Sequence, residues 1–470
     1  MAISVNAMRT IDHWVGVPLC ALAIPIVALL DFLSKPFAKP SQPKRLLFIE
    51  LSEMGSAILV DPAMRKAQAN GAEIYFLIFK SNAASLSLLN TVPAKNVFTI
   101  DSSSLWKLAT DTLLFLIKAR FHRIDTVIDL ELFSRFTALL TGLCGAKRRI
   151  GYDIFHGEGL WRGTMLTRKV HYNPHIHIAK NFISLVYAAF AREEELPFSK
   201  IAIPDTEIKI AQAVIDPSIK QNLQLRIENL AQQALIPFKF GQQRIILINP
   251  NASDLLPQRR WAPERFSELI GAVHQRYPDD LILITGSPAE HTYVEGVRLA
   301  ANVKRAINFA GHVRFSELPA LYTIAHAMVT NDSGPGHFSS VTSLHTVVLF
   351  GPETPALYGS LGQSIPITAN LACSPCVSAA NHRKTPCQDN VCMKSISVSQ
   401  VMEKLAVQIA AADRARRRVR RAAPARAGCP VAFRSQRRVV ASARAGASPA
   451  RVRRRLPCGR GCGRTKRRTG

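Results

Sequence analysis

Acidic residues all but vanish from the C-terminal stretch of this 470-residue chain. Residues 412–470 hold one, Asp413, against 20 Lys and Arg, and their only aromatic ring is Phe433. Of the net charge of +27, +19 therefore sits in this stretch. The rest of the chain carries 40 basic and 32 acidic side chains, or +8. A segment of Arg, Ala, Gly, Pro, Ser and Val without hydrophobic periodicity cannot bury enough apolar surface to offset ordering, so 412–470 is expected to be a disordered Arg-rich tail. It suits nonspecific attraction to polyanions or anionic lipid, or is GC-rich DNA read in a wrong frame. No specific nucleic-acid partner is expected, because the body is only mildly basic.

Charge of either sign is missing from residues 14–30, WVGVPLCALAIPIVALL. A helix needs about 20 apolar residues to cross a bilayer, so this run is at the short end. Pro18 and Pro25 favour a kinked or interfacial helix over a straight span. Lys35, Lys39, Lys44 and Arg45 behind the run outweigh Arg9 in front of it, which puts the main body on the cytoplasmic side. Asp12 and the lack of a small-x-small site argue against a cleaved signal peptide. Residues 1–43 thus read as a membrane-associating segment and linker.

Short-period repeats are also absent, which leaves no solenoid reading. Cysteine usage fits a reducing compartment. Cys20 and Cys144 stand alone, and Cys429, Cys458 and Cys462 belong to the tail. Cys373, Cys376, Cys387 and Cys392 are spaced as a zinc knuckle or a redox-sensitive or structural cluster would be.

What is present is a long α/β pattern, with 47% hydrophobic residues, enough for two domains. Strands are expected at 45–51, 73–79, 97–100 and 126–130, with helices at 57–70 and 105–120. A polar, helical stretch over 192–243 carries the passage to a second series. Its strands are expected at 244–249, 281–285, 306–309, 327–330 and 346–350, with helices at 263–277, 315–326 and 397–411. Alternation of this kind gives two Rossmann-like domains, 44–200 and 244–411, joined by 201–243, with a ligand cleft at the carboxyl ends of the strands.

Three post-strand loops of the second domain converge on that cleft. One runs from Asn249 through Ser253 to Arg259, Arg260 and Trp261. Another holds Thr285, Gly286, Ser287 and Glu290. The third is Asn331-Asp332-Ser333-Gly334-Pro335-Gly336-His337. Arginines neutralise phosphate and fork onto it, a carboxylate holds ribose hydroxyls, and Gly334 and Gly336 are expected to let a ligand approach the backbone. The histidines His171, His175 and His177 read as a surface loop of the first domain.

The pieces RLLFIELSEMGSAILVDPAMR, NPNAS…RRWAPERFSEL, ILITGSPAE, the NDSGPGH loop, VVLFGPETP and CSPC…C…C resemble, in order over about 44–410, glycosyltransferase family 9 of the ADP-heptose:lipopolysaccharide heptosyltransferase type. The resemblance implies a GT-B fold. It also implies an ADP-heptose-like nucleotide-diphosphate sugar donor in the second domain, a glycolipid acceptor in the first, and transfer with inversion. The implied place of work is the cytoplasmic face of the inner membrane. Neither a cofactor nor a metal is expected. By the same resemblance Ser253, Arg259 and Arg260 lie near the donor diphosphate, Gly286 and Glu290 meet the nucleoside, and Asp332, Ser333, Gly334 and His337 line the donor pocket.

The departure is at the base. The family usually reads Gly-Asp in the first strand-turn-helix, and this chain reads Gly55-Ser56. A serine hydroxyl has no useful basicity at neutral pH. Glu53, in the same turn, is the candidate base; Asp61, inside the helix, is a weaker one. Without a base the chain would be a noncatalytic nucleotide-sugar-binding paralogue.

Overall fold

A computed structural model describes residues 5–34, 42–51, 54–132, 134–153, 160–192, 195–253, 256–378 and 384–422. The chain divides into two units, Met1–Arg420 and Arg421–Gly470. All that follows concerns the first, apart from the last residues of its closing helix.

Two parallel six-stranded sheets form the frame. The first contains β1 (Arg45–Ile49), β2 (Glu73–Phe79), β3 (Val97–Ile100), β4 (Thr126–Asp129), β5 (Arg148–Tyr152) and β6 (Arg168–Val170), in the order β3-β2-β1-β4-β5-β6. The second contains β7 (Ile245–Asn249), β8 (Leu281–Ile284), β9 (Ala306–Asn308), β10 (Ala327–Asn331), β11 (His345–Phe350) and β12 (Gln363–Thr368), in the order β12-β11-β10-β7-β8-β9. Each is a doubly wound sheet whose order reverses beside its first strand, β1 against β4 and β7 against β10. That reversal opens a crevice at the strand carboxyl ends.

The helices are α1 (Val5–Trp14), α2 (Gly16–Ser34), α3 (Met54–Leu59), α4 (Asp61–Ala69), α5 (Leu105–Phe121), α6 (Arg135–Leu143), α7 (Ile178–Phe190) and α8 (Pro217–Gln233). They continue with α9 (Pro263–Arg276), α10 (His291–Ala301), α11 (Leu318–Ile324), α12 (Gly334–Phe338), α13 (Pro355–Tyr358), α14 (Val391–Lys394) and α15 (Val398–Ala422). Because both faces of each sheet are covered, the central strands are apolar without alternation. In β1, Leu46 and Phe48 pack towards α4 and α7, while Leu47 and Ile49 meet Phe115 and Ala119 of α5 and Leu140 of α6. In β7, Ile246 and Ile248 join Phe266, Val294 and Leu405, while Leu247 joins Ile227 and Leu321.

Several elements differ from the sequence reading. The helix expected over 57–70 is two, α3 and α4. Pro62 lacks an N–H and is tolerated only in a first turn, so a new helix starts beside it. Strands β5, β6 and β12 were not anticipated. They are short or polar at alternate positions, and Pro366 in β12 argues against a strand by composition. The helix expected to stop at 411 runs through the first residues of the basic tail to Ala422. Polar bonds hold its end: Asp413 pairs with Arg244 at 3.0 Å, and Arg416 donates to the carbonyls of Thr323, Ile324 and Ala325. Residues 423–470, the rest of the tail, lie outside the described residues.

The apolar N-terminal run is helical as expected, and Pro25 lies inside α2. Its Cys20, Ala23 and Val27 are buried against Ala138 of α6 and Met165. Asp12 accepts the N–H groups of Arg135 and Phe136 at the start of α6 and pairs with the Arg135 guanidinium at 3.1 Å. At the other end Asp31 pairs with Arg149 of β5 at 2.5 Å.

Candidate active site

A cavity of about 490 Å³ lies where the two sets of strand ends meet. This is the size range of small-ligand pockets. From the first sheet it is lined by Met54, Gly55, Ser56, Leu59 and Asn82. From the second come residues of all three predicted loops: Ser253 and Arg259; Gly286 and Glu290; Asp332, Ser333, Gly334 and His337.

The loops are tied by a residue to which the sequence reading gave no role. Asn331, at the end of β10, accepts the N–H of Trp261 at 3.1 Å and donates to the carbonyl of Pro250 at 3.1 Å. Its buried amide thereby holds the NDSGPGH loop against the Arg259 loop. Trp261 is fully buried and donates its indole N–H to Ile396.

The two arginines part company. Arg259 is buried, lines the cavity, and stands 3.8 Å from the Asp332 carboxylate. That is an ion pair but too long for a hydrogen bond. Its Nε is buried and makes no hydrogen bond among the described residues. Arg260 is not among the lining residues. Its Nε and Nη2 both donate to the Ala252 carbonyl, at 2.9 and 2.6 Å, so it holds the backbone beside Ser253. Among the described residues Arg259 thus faces the cavity and Arg260 braces the loop beside it.

Glu290 is already engaged. One oxygen accepts the Ser287 N–H at 2.6 Å and the other the Asn251 side chain. Gly286 packs closely beside it: a Cβ there would stand 3.2 Å from Glu290 Oε2 and from Val294. Nearby, burial pushes the Tyr293 hydroxyl pKa up.

Of the two glycines of the NDSGPGH loop, packing alone calls for one. A Cβ on Gly334 would meet the Phe338 ring at 2.8 Å. A Cβ on Gly336 would find ordinary contact with Val348 at 3.5 Å. Helix α12 is five residues long and its Ser333 makes no side-chain cap, so the dipole expected here is that of a single turn.

Across the cleft, Gly55 is fixed by the opposite domain. A Cβ on it would lie 2.7 Å from Cδ2 of His337. The imidazole of the NDSGPGH loop thus rests on the turn that bears Ser56. Gly55→Ala forces one of them to move, at about 1–3 kcal/mol of packing strain. A displaced His337 is expected to lower kcat/KM by roughly tenfold or more. Steady-state kinetics alongside a thermal melt check this, and unchanged values for both would show that the contact is slack.

Glu53 lies outside the described residues. Asp61 is placed away from the cavity; its carboxylate accepts from Arg65 at 2.8 Å, Thr91 at 2.5 Å and the Ala211 N–H at 3.2 Å, so it joins α4 to the interdomain connection. Glu353 is a carboxylate that sequence reasoning missed. It lines the cavity at 2% exposure, in the turn after β11. The GPETP string was noted, but nothing in its spacing points the glutamate inward.

His171 and His175 are exposed, as a surface loop requires, but His177 is not. Its Nδ1 accepts the Ala179 N–H, and its Nε2 is 2.9 Å from the Gly359 carbonyl of the second domain. Burial pushes its pKa down, with the Gly359 hydrogen bond opposing. The four cysteines lie near one another: burial raises the Cys392 thiol pKa, and Cys376, Cys387 and Cys373 push it the same way. Cys376 Sγ lies against Thr385 Oγ1 and Cys387 Sγ donates to the Asp389 carbonyl. Among the described residues no group of three or more His, Cys, Asp or Glu is placed to hold a metal ion.

Two doubly wound domains sharing one cleft, with an arginine and small polar loops on the second, make up a fold of the GT-B type. The chain belongs to glycosyltransferase family 9 (heptosyltransferase), whose sequence profile matches residues 118–386. The matched span begins after the turn that bears Ser56. Lipooligosaccharide heptosyltransferase 2 of Campylobacter jejuni is 25% identical over 184 residues, 36% of this chain; the match spans 54% of that relative's length. Lipopolysaccharide core heptosyltransferase OpsX of Haemophilus influenzae is 21% identical over 317 residues, 67% of this chain and 80% of the relative. Among solved structures, E. coli ADP-heptose LPS heptosyltransferase II superposes with a TM-score of 0.58 at 18% identity, covering 78% of this chain and 99% of that one. At that identity the likeness speaks for the fold alone.

Proposed function

We propose that the protein is an inverting glycosyltransferase that moves a heptose or related sugar from an ADP-type nucleotide-diphosphate sugar to a lipopolysaccharide core or similar glycolipid. The work is done at the cytoplasmic face of the inner membrane. The observation that carries this is the cavity itself. Arg259, with a buried Nε awaiting an acceptor, stands beside Ser253, Asp332 and Ser333 on the donor side, and Gly55 and Ser56 face them from the acceptor side. The names of the relatives supply the donor and acceptor classes.

In the proposed reaction an acceptor hydroxyl attacks the anomeric carbon from the face opposite the diphosphate. The bond from that carbon to the diphosphate oxygen breaks, and its electron pair leaves with ADP. Charge grows on the leaving phosphate, where Arg259 stabilises it without a metal. The hydroxyl's proton goes to a carboxylate, for which Glu53 is our assignment. Glu290 meets the ribose with the lone pairs that Ser287 and Asn251 leave over.

A second reading, a nucleotide-sugar-binding paralogue without turnover, is favoured by Ser56 alone. One experiment separates them: a panel of ADP- and other nucleotide sugars is incubated with a core oligosaccharide acceptor and followed by mass spectrometry. A glycosylated product with release of nucleoside diphosphate is the expected result. Binding of a donor with no product from any combination would establish the second reading.

A further inference from the structure

Helix α2 is nineteen residues long, about 28 Å, and apolar enough over residues 16–33 to cross a membrane. Its attachments argue for a different placement. Asp12, just before it, and Asp31, near its end, are each paired with an arginine of the same domain, Arg135 and Arg149. Between these ties Cys20, Ala23 and Val27 lie on α6. A spanning helix would carry one end a bilayer's thickness away from the body, whereas here both ends are fastened to one domain. The helix lies along the domain surface, and its other side faces out: Leu22 is 64% exposed and Phe32 68%, with Leu19, Ile26, Leu29, Leu30 and Leu33 exposed between and beside them.

A second helix presents the same character on the same side of the first sheet. Helices α5 and α6 cover the face of β1 and β2 marked by Leu47, Ile49, Tyr75 and Leu77, and α2 rests on α6. The outward stripe of α5 is Trp106, Leu113, Ile117 and Phe121, at helical spacing, with Trp106 78% and Phe121 83% exposed. Exposed Lys107, Lys118, Arg120 and Arg123 flank it. The acid of this helix, Asp111, is turned inward to the Asp101 N–H. Asp12 and Asp31 are held in ion pairs. The face is thus apolar in the middle and cationic at its border.

We propose that α2 and α5 together form one docking face for an anionic phospholipid bilayer, with α2 lying in the interface and not crossing it. The charge pattern selects this occupant. A border of lysine and arginine around apolar side chains matches lipid headgroups over acyl chains, with long cationic side chains reaching up to phosphates while Trp and Phe enter below them. The proposal rests on the membrane location given above and is independent of the sugar chemistry. It also makes α5, remote from the apolar N-terminal run in sequence, a determinant of membrane binding.

The test is flotation of the full chain with vesicles of phosphatidylcholine and phosphatidylglycerol, at high salt so that the charge of the arginine-rich residues 412–470 is screened. Wild type is expected to float. Trp106→Asp/Phe121→Asp, at two exposed positions and with an unchanged thermal melt, is expected to lose at least about tenfold in vesicle partition. A double variant that floats like wild type overturns the two-helix face while leaving the membrane location intact. A wild type that fails to float overturns both. If light scattering shows a dimer that the double variant converts to monomer, with vesicle partition unchanged, the face belongs to a second copy of the chain and the proposal falls.

Discussion

Glu53→Gln is expected to lower kcat by about 10²–10⁴-fold, the usual contribution of a positioned base, while the affinity for ADP stays within about twofold of wild type. Ser56 lines the cavity where the family usually has an aspartate. A hydroxyl with a pKa far above neutrality cannot hold the proton released by the acceptor, so a carboxylate must reach the same point. Glu53 precedes Met54, Gly55 and Ser56, all three of which line the cavity. The strand end leading to it is fixed, because the Leu51 N–H donates to Glu131 Oε1 at 2.9 Å. Two further variants make the assignment decisive. Ser56→Asp in the Glu53→Gln background restores a carboxylate to the turn and should recover a large part of the lost rate. Glu353→Gln should leave kcat within a few fold of wild type. Single-turnover kinetics with saturating donor reads all three, and a collapse confined to Glu353→Gln would move the base to the opposite domain.

Much of this architecture was legible in the sequence because it depends on local pattern. Runs such as LLFI in β1 and LILI in β8 are buried on both faces, and such strands announce themselves by composition alone. The convergence of the three loops on one cavity was legible for the same reason: each follows a strand, and strand ends in a parallel sheet share one edge. What the sequence could not carry were relations between residues far apart in the chain. Gly55 is small because His337, 282 positions on, packs against it. Asn331 matters because it bonds to Trp261 and Pro250. His177 is drawn half out of solvent, with its Nε2 2.9 Å from the carbonyl of Gly359, 182 positions on. Arg259 and Arg260 are indistinguishable by type and adjacent in order; a short 3₁₀ turn, Pro257–Arg259, directs one to the cavity and the other to the Ala252 carbonyl. Gly334 has a packing reason to be small that its motif did not announce, since a Cβ there would meet the Phe338 ring at 2.8 Å.

That separation of the two arginines supports the second large effect. Arg259→Gln is expected to reduce kcat/KM by about 10²–10³-fold, as loss of one preorganised donor to a developing negative charge does. Arg259 has a structural partner as well, Asp332 at 3.8 Å, and removing the cation leaves that buried carboxylate without it. A fall in activity alone would therefore not separate a role in the reaction from a role in the fold. The double-mutant cycle does. If Arg259 serves only to neutralise Asp332, Arg259→Gln lowers the melting temperature, Asp332→Asn added to it restores stability, and turnover returns with the fold. If Arg259 meets the diphosphate, the double variant regains stability but not kcat/KM, and ADP binding stays weak. Arg259→Lys should fall between, because an ammonium keeps the charge and loses the planar fork that suits two phosphate oxygens. Arg260→Gln supplies the contrast. Its guanidinium acts on the cavity only through the Ala252 carbonyl, so it should loosen the Ser253 loop and raise KM with a smaller change in kcat. We expect the geometry to decide for the diphosphate: a guanidinium that is buried, set beyond hydrogen-bond reach of the Asp332 carboxylate and, among the described residues, without a hydrogen bond at Nε is badly arranged for the fold and well arranged for an incoming anion.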